Sequence, residues 1–219
     1  MAKLQESKKN ALPDTRGNAP ADMLTFEKQA MLSGYKVIAG VDEAGRGPLA
    51  GPVVSAAVIL PENFDVPGIN DSKKLSEKKR AALFPVIQKH AVAFGIGLAD
   101  HEEIDQINIL QASLRSMKRA VEALNVAPDY LLIDGKFVID CTIDQRSVIK
   151  GDMLSLSIAA ASILAKVTRD RIMADCDLQY PKYGFSRHKG YPTKAHKEAI
   201  LIHGPCPIHR KSFKGVKNI

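Results

Sequence analysis

The chain has 219 residues, 45% of them hydrophobic, with no tryptophan and 5% aromatics, so it can build one large domain, or one domain with an appendage, around an aliphatic core. Three scattered cysteines (Cys141, Cys176, Cys206) with no C-x-x-C pair exclude a disulfide scaffold and a zinc knuckle and point to free thiols in a reducing cytosol. The net charge is +7, and residues 187–219 carry all of that excess, with eight Lys or Arg against one acid, which points to a polyanionic partner for the C-terminal segment unless the tail only aids solubility.

Residues 1–20 are polar, with Pro13, Gly17 and Pro20, and read as a flexible arm. The opening MAKLQESKKN has no signal-peptide apolar core. The longest apolar-rich stretch, Met153 to Ala165, is too short to cross a bilayer. The expectation is a cytoplasmic protein without a membrane role.

Asp22 is placed to cap a short helix carrying Leu24, Ala30 and Met31 and stopped by Gly34. A β-type run, Val37 to Val41, follows, then Asp42 and Glu43 where the run ends, then a glycine-rich turn, Ala44-Gly45-Arg46-Gly47. Val53 to Leu60 reads as the return strand. Ser76 is the expected N-cap of a helix to about His90, and residues 91–99 form a third strand whose two glycines mark close approach by a neighbour. Asp100 and Glu103 make a capping-box pattern. Leu110, Leu114, Met117, Val121 and Leu124 repeat at helical spacing on a helix packed against the sheet.

Residues 130–133 form a fourth strand ending at Asp134-Gly135, and residues 145–149 a fifth before Lys150-Gly151-Asp152. A long helix runs from about Met153 to Cys176, apolar first and charged later. Thr193 caps a last helix to about His203. The order points to a mixed central sheet flanked by helices, an α/β protein.

Asp42, Glu43, Asp134 and Asp152 each follow a strand-like run. Neighbouring strands would bring these acids together, where like charges repel unless cations sit among them. Oxygen-only ligation suits Mg2+ or Mn2+ and not zinc. Blander readings stand beside this one: Asp134-Gly135 as a simple turn, and Asp152 as the N-cap of the long helix, a role compatible with ligation. Gly45, Arg46 and Gly47 allow backbone to approach a sugar–phosphate chain closely, with Arg46 either a phosphate ligand or a surface arginine. Lys73 and Lys74 belong to a basic run that is either a solvated helix face or a phosphate contact. Tyr191 either braces the turn before Pro192 or presents its ring to a ligand. Lys166 and Arg169, far along the long helix, read as structural or backbone-contacting. His196 and His203 read as helix-surface histidines without a catalytic role.

The heptad Asp42-Glu43-Ala44-Gly45-Arg46-Gly47-Pro48 resembles the signature of ribonuclease HII, the type 2 ribonuclease H family. The resemblance extends in order through Ser72-Lys73-Lys74-Leu75, Ile133-Asp134-Gly135, Lys150-Gly151-Asp152, the run Ala160 to Asp170, and Lys189-Gly190-Tyr191-Pro192-Thr193. It implies a ribonuclease H-like fold over residues 21–185 with a basic C-terminal helical extension over 186–219. It implies a divalent-metal-dependent endoribonuclease, with Asp42, Glu43, Asp134 and Asp152 as catalytic metal ligands in a two-metal mechanism.

The implied substrates are RNA/DNA hybrids and duplex DNA containing single ribonucleotides, cut on the 5′ side of the ribonucleotide. Metal-activated water would leave 5′-phosphate and 3′-hydroxyl ends. The resemblance further implies that Gly45, Arg46 and Gly47 sense the 2′-OH, that Tyr191 stacks on a neighbouring sugar, and that Lys73 and Lys74 lie on the phosphate path. The expected state is a monomer. A carboxylate-pair glycosidase does not account for the basic C-terminus, and a non-catalytic binding module does not account for strand-end acids.

Overall fold

The computed structural model describes residues 22–64, 66, 68–69 and 75–217. Strands β1 (Ile38–Ala44), β2 (Val53–Ile59), β3 (Ala93–Ala99), β4 (Tyr130–Asp134) and β5 (Asp144–Val148) form one five-stranded sheet in the order β3-β2-β1-β4-β5. β1, β2 and β3 pair antiparallel, while β4 and β5 run parallel to β1. The central strands β1 and β2 are covered on both faces, which is why they read as continuous apolar runs rather than alternating ones.

The helices are α1 (Thr25–Leu32), α2 (Glu77–His90), α3 (His101–Glu122), α4 (Leu156–Gln179), α5 (Phe185–His188) and α6 (Lys194–His203). α2 and α4 pack with Ala56 and Val58 on one face of the sheet. On the other face α3 packs with Ala39, Val41, Ala57 and Ile59 through Met117, Ala120 and Val121. The glycines of β3 admit α3 as expected: a Cβ at Gly95 or Gly97 would lie 2.2 Å from the carbonyl oxygen of Ala120 or Ser116. Gly40 does the same for α4, where a Cβ would lie 2.2 Å from the Ser157 carbonyl carbon.

The caps expected at Ser76, Asp100 and Thr193 form, each side chain accepting the backbone N–H three residues on. Two local readings need correction, and one break was not foreseen. β1 runs on to Ala44 because its ladder with β2 continues there, so Asp42 and Glu43 lie inside the strand and not after it. Asp152 does not cap α4. It sits in a short 3-10 turn, Gly151–Met153, and Ser155 is the N-cap, accepting from Ile158 N. α3 is broken at Asn108, whose φ of 67° lets its side chain accept from Leu110 N and Gln111 N.

The C-terminal residues share a core with the β1–β2 connection and α4. Phe185, Ile200, Cys206 and Val216 pack with Leu49, Ala50 and Met173. Asp105 at the start of α3 accepts from Lys211 N and Ser212 N at 2.8 and 2.9 Å, tying down the last stretch.

Candidate active site

β1 and β4 are parallel neighbours in register up to Val41 and Ile133. The next residue on each is an aspartate, Asp42 and Asp134, and both fall on the face covered by α4. Asp42 is buried, 3% exposed. It accepts from Glu43 N at 2.7 Å and bonds to Ser162 of α4. Burial, together with the carboxylates of Glu43 and Asp134, pushes its carboxyl well above the usual range. Asp134 accepts from Gly151 N at 2.7 Å, which draws the turn carrying buried Asp152 onto the end of β4. The sheet, α4 and this bond therefore bring the four predicted acids to one end of the fold.

Among the described residues no three His, Cys, Asp or Glu side chains already close on a single point as a metal cage would. The acids stand as an open set. Their chemistry fits a hard divalent cation: every donor is an oxygen, and Asp42 is held among carboxylates whose repulsion a cation would reverse.

The glycine-rich turn lies beside this set. Gly45 is buried with φ +105°, and Arg46 and Gly47 are exposed. Arg46 Nη1 stands 3.3 Å from Glu43 Oε1, a surface pair of small energetic weight. Tyr191 is 41% exposed. A Cβ at Gly47 would lie 3.6 Å from Tyr191 Cε1, so the turn and the tyrosine form adjoining walls. Lys73 and Lys74 lie outside the described residues.

Arg169 is fully buried and donates to the carbonyls of Pro52, Lys189 and Ala50, in keeping with the backbone-contacting role read from sequence. Lys166 pairs with Asp170. His196 departs from expectation. It is fully buried, with Nδ1 on Tyr191 O at 2.9 Å and Nε2 on His209 Nε2 at 3.1 Å. The helix brings it inward because α6 packs on Phe185 and His209. Sequence reading also missed Arg210, which is fully buried; nothing local separates it from the exposed lysines around it.

A family model described as Ribonuclease HII matches residues 39–216, the stretch that contains every described residue of this site. The chain belongs to the ribonuclease HII family. A Ribonuclease HII of Citrifermentans bemidjiense is 61% identical over 199 residues, covering 91% of this chain and 86% of that one. The ribonuclease H2 of Pyrococcus horikoshii OT3 superposes with a TM-score of 0.69 at 27% identity, covering 83% of this chain and 96% of that one. Bst-RNase HIII in complex with Mn2+ shares the fold alone, with a TM-score of 0.62 at 19% identity over 94% of this chain and 75% of that one. As a ribonuclease HII, the chain is a divalent-metal-dependent endoribonuclease acting on RNA/DNA hybrids. No helix among the described residues is long and apolar enough to cross a membrane.

Proposed function

We propose that this ribonuclease HII cuts the RNA strand of hybrids and also incises duplex DNA on the 5′ side of a lone ribonucleotide, leaving 5′-phosphate and 3′-hydroxyl ends. The observation that carries the reading is the junction of two walls: the acids of β1, β4 and the 151–153 turn on one side, and Gly47 against Tyr191 on the other. One wall supplies hydrolysis and the other reads the sugar.

In this reading Asp42, Glu43, Asp134 and Asp152 hold Mg2+ or Mn2+; Mn2+ is the ion in the Bst-RNase HIII complex. Held by these four acids, divalent ions would supply the positive charge needed to activate water and to stabilise the leaving oxygen of a phosphodiester. Glu43 and Asp134 are part-exposed and face the incoming strand, while buried Asp42 and Asp152 fix the floor. Exposed Gly47 lets backbone approach the ribose, where a 2′-OH separates RNA from DNA. Tyr191 offers its ring to the adjacent deoxyribose, which has no hydroxyl to desolvate. Arg46, Lys73 and Lys74 would contact phosphates. The exposed lysines of residues 186–219 extend the basic path beyond the domain over 21–185, and the protein acts as a cytoplasmic monomer.

The test is cleavage of a labelled DNA duplex with one ribonucleotide, beside an all-DNA duplex and a long hybrid, in Mg2+, Mn2+ or chelator. Metal-dependent cutting 5′ of the ribonucleotide with the all-DNA duplex intact is the expected result. Cutting of the long hybrid alone would remove the junction reading from Gly47 and Tyr191.

A further inference from the structure

Arg210 comes from the far end of the chain and is fully buried behind the glycine-rich turn. Its Nε donates to Gly51 O at 2.9 Å, its Nη1 to Pro48 O at 2.8 Å and Arg46 O at 3.1 Å, and its Nη2 to Gly45 O at 2.7 Å. Arg169 adds Pro52 O and Ala50 O at 2.9 and 3.2 Å. The two guanidiniums thus gather the carbonyls of residues 45, 46, 48, 50, 51 and 52. Backbone bonds pin the same segment: Arg210 N to Leu49 O, Gly51 N to Ile208 O and Leu49 N to Gly190 O.

A trans peptide points its C=O and the following N–H in opposite directions. Drawing the Gly45 and Arg46 carbonyls onto Arg210 therefore turns the N–H groups of Arg46 and Gly47 away from it. Those two residues are the exposed ones of the turn. Successive N–H groups aimed outward make a concave donor pair suited to an oxygen of a sugar or phosphate.

The arrangement is not a cheap way to fill a core. Burial first, and then the like charge of nearby Arg169, push Arg210 down to about 9, and apolar residues of similar volume often replace buried charges at no loss of stability. What the guanidinium adds is orientation, since its planar fork fixes several carbonyls at once.

We propose that Arg210 is a positioning residue for ribose recognition: it holds the Gly45-Arg46-Gly47 peptides so that their N–H groups face the 2′-OH at the cleaved junction. The C-terminal segment is then part of the reading device as well as a basic surface. This rests on the proposed role of the turn in reading the sugar.

The test is Arg210→Lys in the full-length protein, with Gly47→Ala beside it. A lysine keeps a charge in the pocket but its compact ammonium cannot span the same carbonyls. The readouts are thermal stability, affinity for an all-DNA duplex, and kcat and KM on a duplex with one ribonucleotide and on a long hybrid. Arg210→Lys is expected to bind the all-DNA duplex as the wild type does. A lone ribonucleotide offers a single 2′-OH to the turn, whereas the hybrid offers one at every step of its RNA strand, so the variant should lose about tenfold or more in kcat/KM on the single-ribonucleotide duplex relative to the long hybrid. A uniform loss on both substrates, or none, would overturn the positioning role.

Gly47→Ala separates the two levels. If it too leaves the preference intact, the turn does not read the sugar and both readings fall. If it erases the preference while Arg210→Lys keeps it, only the role of Arg210 falls. Should Arg210→Lys not fold, Asp105→Ala carries the test, because Asp105 holds the backbone of Lys211 and Ser212 next to Arg210. A smaller fall in the same ratio would support the proposal, and a wild-type ratio would overturn it.

Discussion

Gly47 presents its α-carbon to the edge of Tyr191, and a methyl group added there would sit 3.6 Å from Tyr191 Cε1. That is ordinary contact, and the Gly47 backbone needs no left-handed conformation. Gly47→Ala should therefore fold with stability within about 1 kcal/mol of the wild type, while kcat/KM on ribonucleotide-containing duplex falls about 10- to 100-fold. Gly45→Ala should behave oppositely. Its φ is +105° and its Cβ would meet Arg169 Nε at 2.1 Å, so it should lose about 2–4 kcal/mol. Thermal melts beside steady-state kinetics separate the two.

Burial first, and then the carboxylates of Glu43 and Asp134, raise the pKa of Asp42. A carboxylate whose folded pKa lies above its unfolded one destabilises the fold once pH exceeds the unfolded value. Asp42→Asn removes that charge at nearly constant shape. In metal-free protein at pH 7 the variant should be more stable than the wild type, with turnover abolished and hybrid binding largely kept. Added Mg2+ or Mn2+ should raise the melting temperature of the wild type more than that of the variant. Undiminished turnover in Asp42→Asn would defeat the ligand role.

Ser155 ends the turn that carries Asp152 and begins α4. Its hydroxyl accepts from Ile158 N and donates to buried Glu27 at 2.6 Å. Glu27 also receives Ser157 N and Ser157 Oγ. Ser155→Ala should cost about 2 kcal/mol or more, because it removes a cap and a donor to a buried carboxylate. Thr193→Ala, at an exposed cap, should cost about 1 kcal/mol. Equal losses in urea melts would mean that the Glu27 bond adds nothing.

The parts of this fold legible in the sequence are those with local causes. Ser76, Asp100 and Thr193 announce helix starts because a cap acts within three residues, and Gly95 and Gly97 mark close approach by a neighbour because a strand glycine leaves room for one. The acids were legible as strand-end carboxylates, and the family resemblance named them. The rest depends on partners far away in sequence. Asp152 resembled a cap because Asp and Ser serve equally well at an N-cap; Ser155 takes the role, accepting from Ile158 N, and what anchors it besides is Glu27, 128 residues earlier. Arg210 resembled its exposed basic neighbours because its carbonyl partners lie about 160 residues away. His196 resembled a surface histidine because His209 closes over it from beyond the helix.

That histidine pair sets a pH limit. Tyr191 O can only accept, so His196 carries its proton on Nδ1 and accepts at Nε2 from His209 Nε2–H; His209 Nδ1 accepts from Cys206 N at 2.9 Å. The pair is complete when both rings are neutral, and a further proton sets two donors face to face. Burial first, and then the neighbouring His196, push His209 down to about 4; His188 and His101 act in the same direction. The Cys206 thiol, pushed up to about 11, stays neutral and offers no countercharge. An unfolded histidine takes its proton near pH 6.5 and the folded one only near 4, so stability is full above about 6.5 and is lost as pH falls toward 4. The loss should be on the order of 2 kcal/mol between pH 7 and pH 4.5 in urea melts, and His209→Gln should flatten that slope. Because His196 holds the Tyr191 carbonyl, KM on ribonucleotide-containing duplex should rise over the same interval before the protein unfolds. An unchanged slope in His209→Gln would place the acid sensitivity elsewhere.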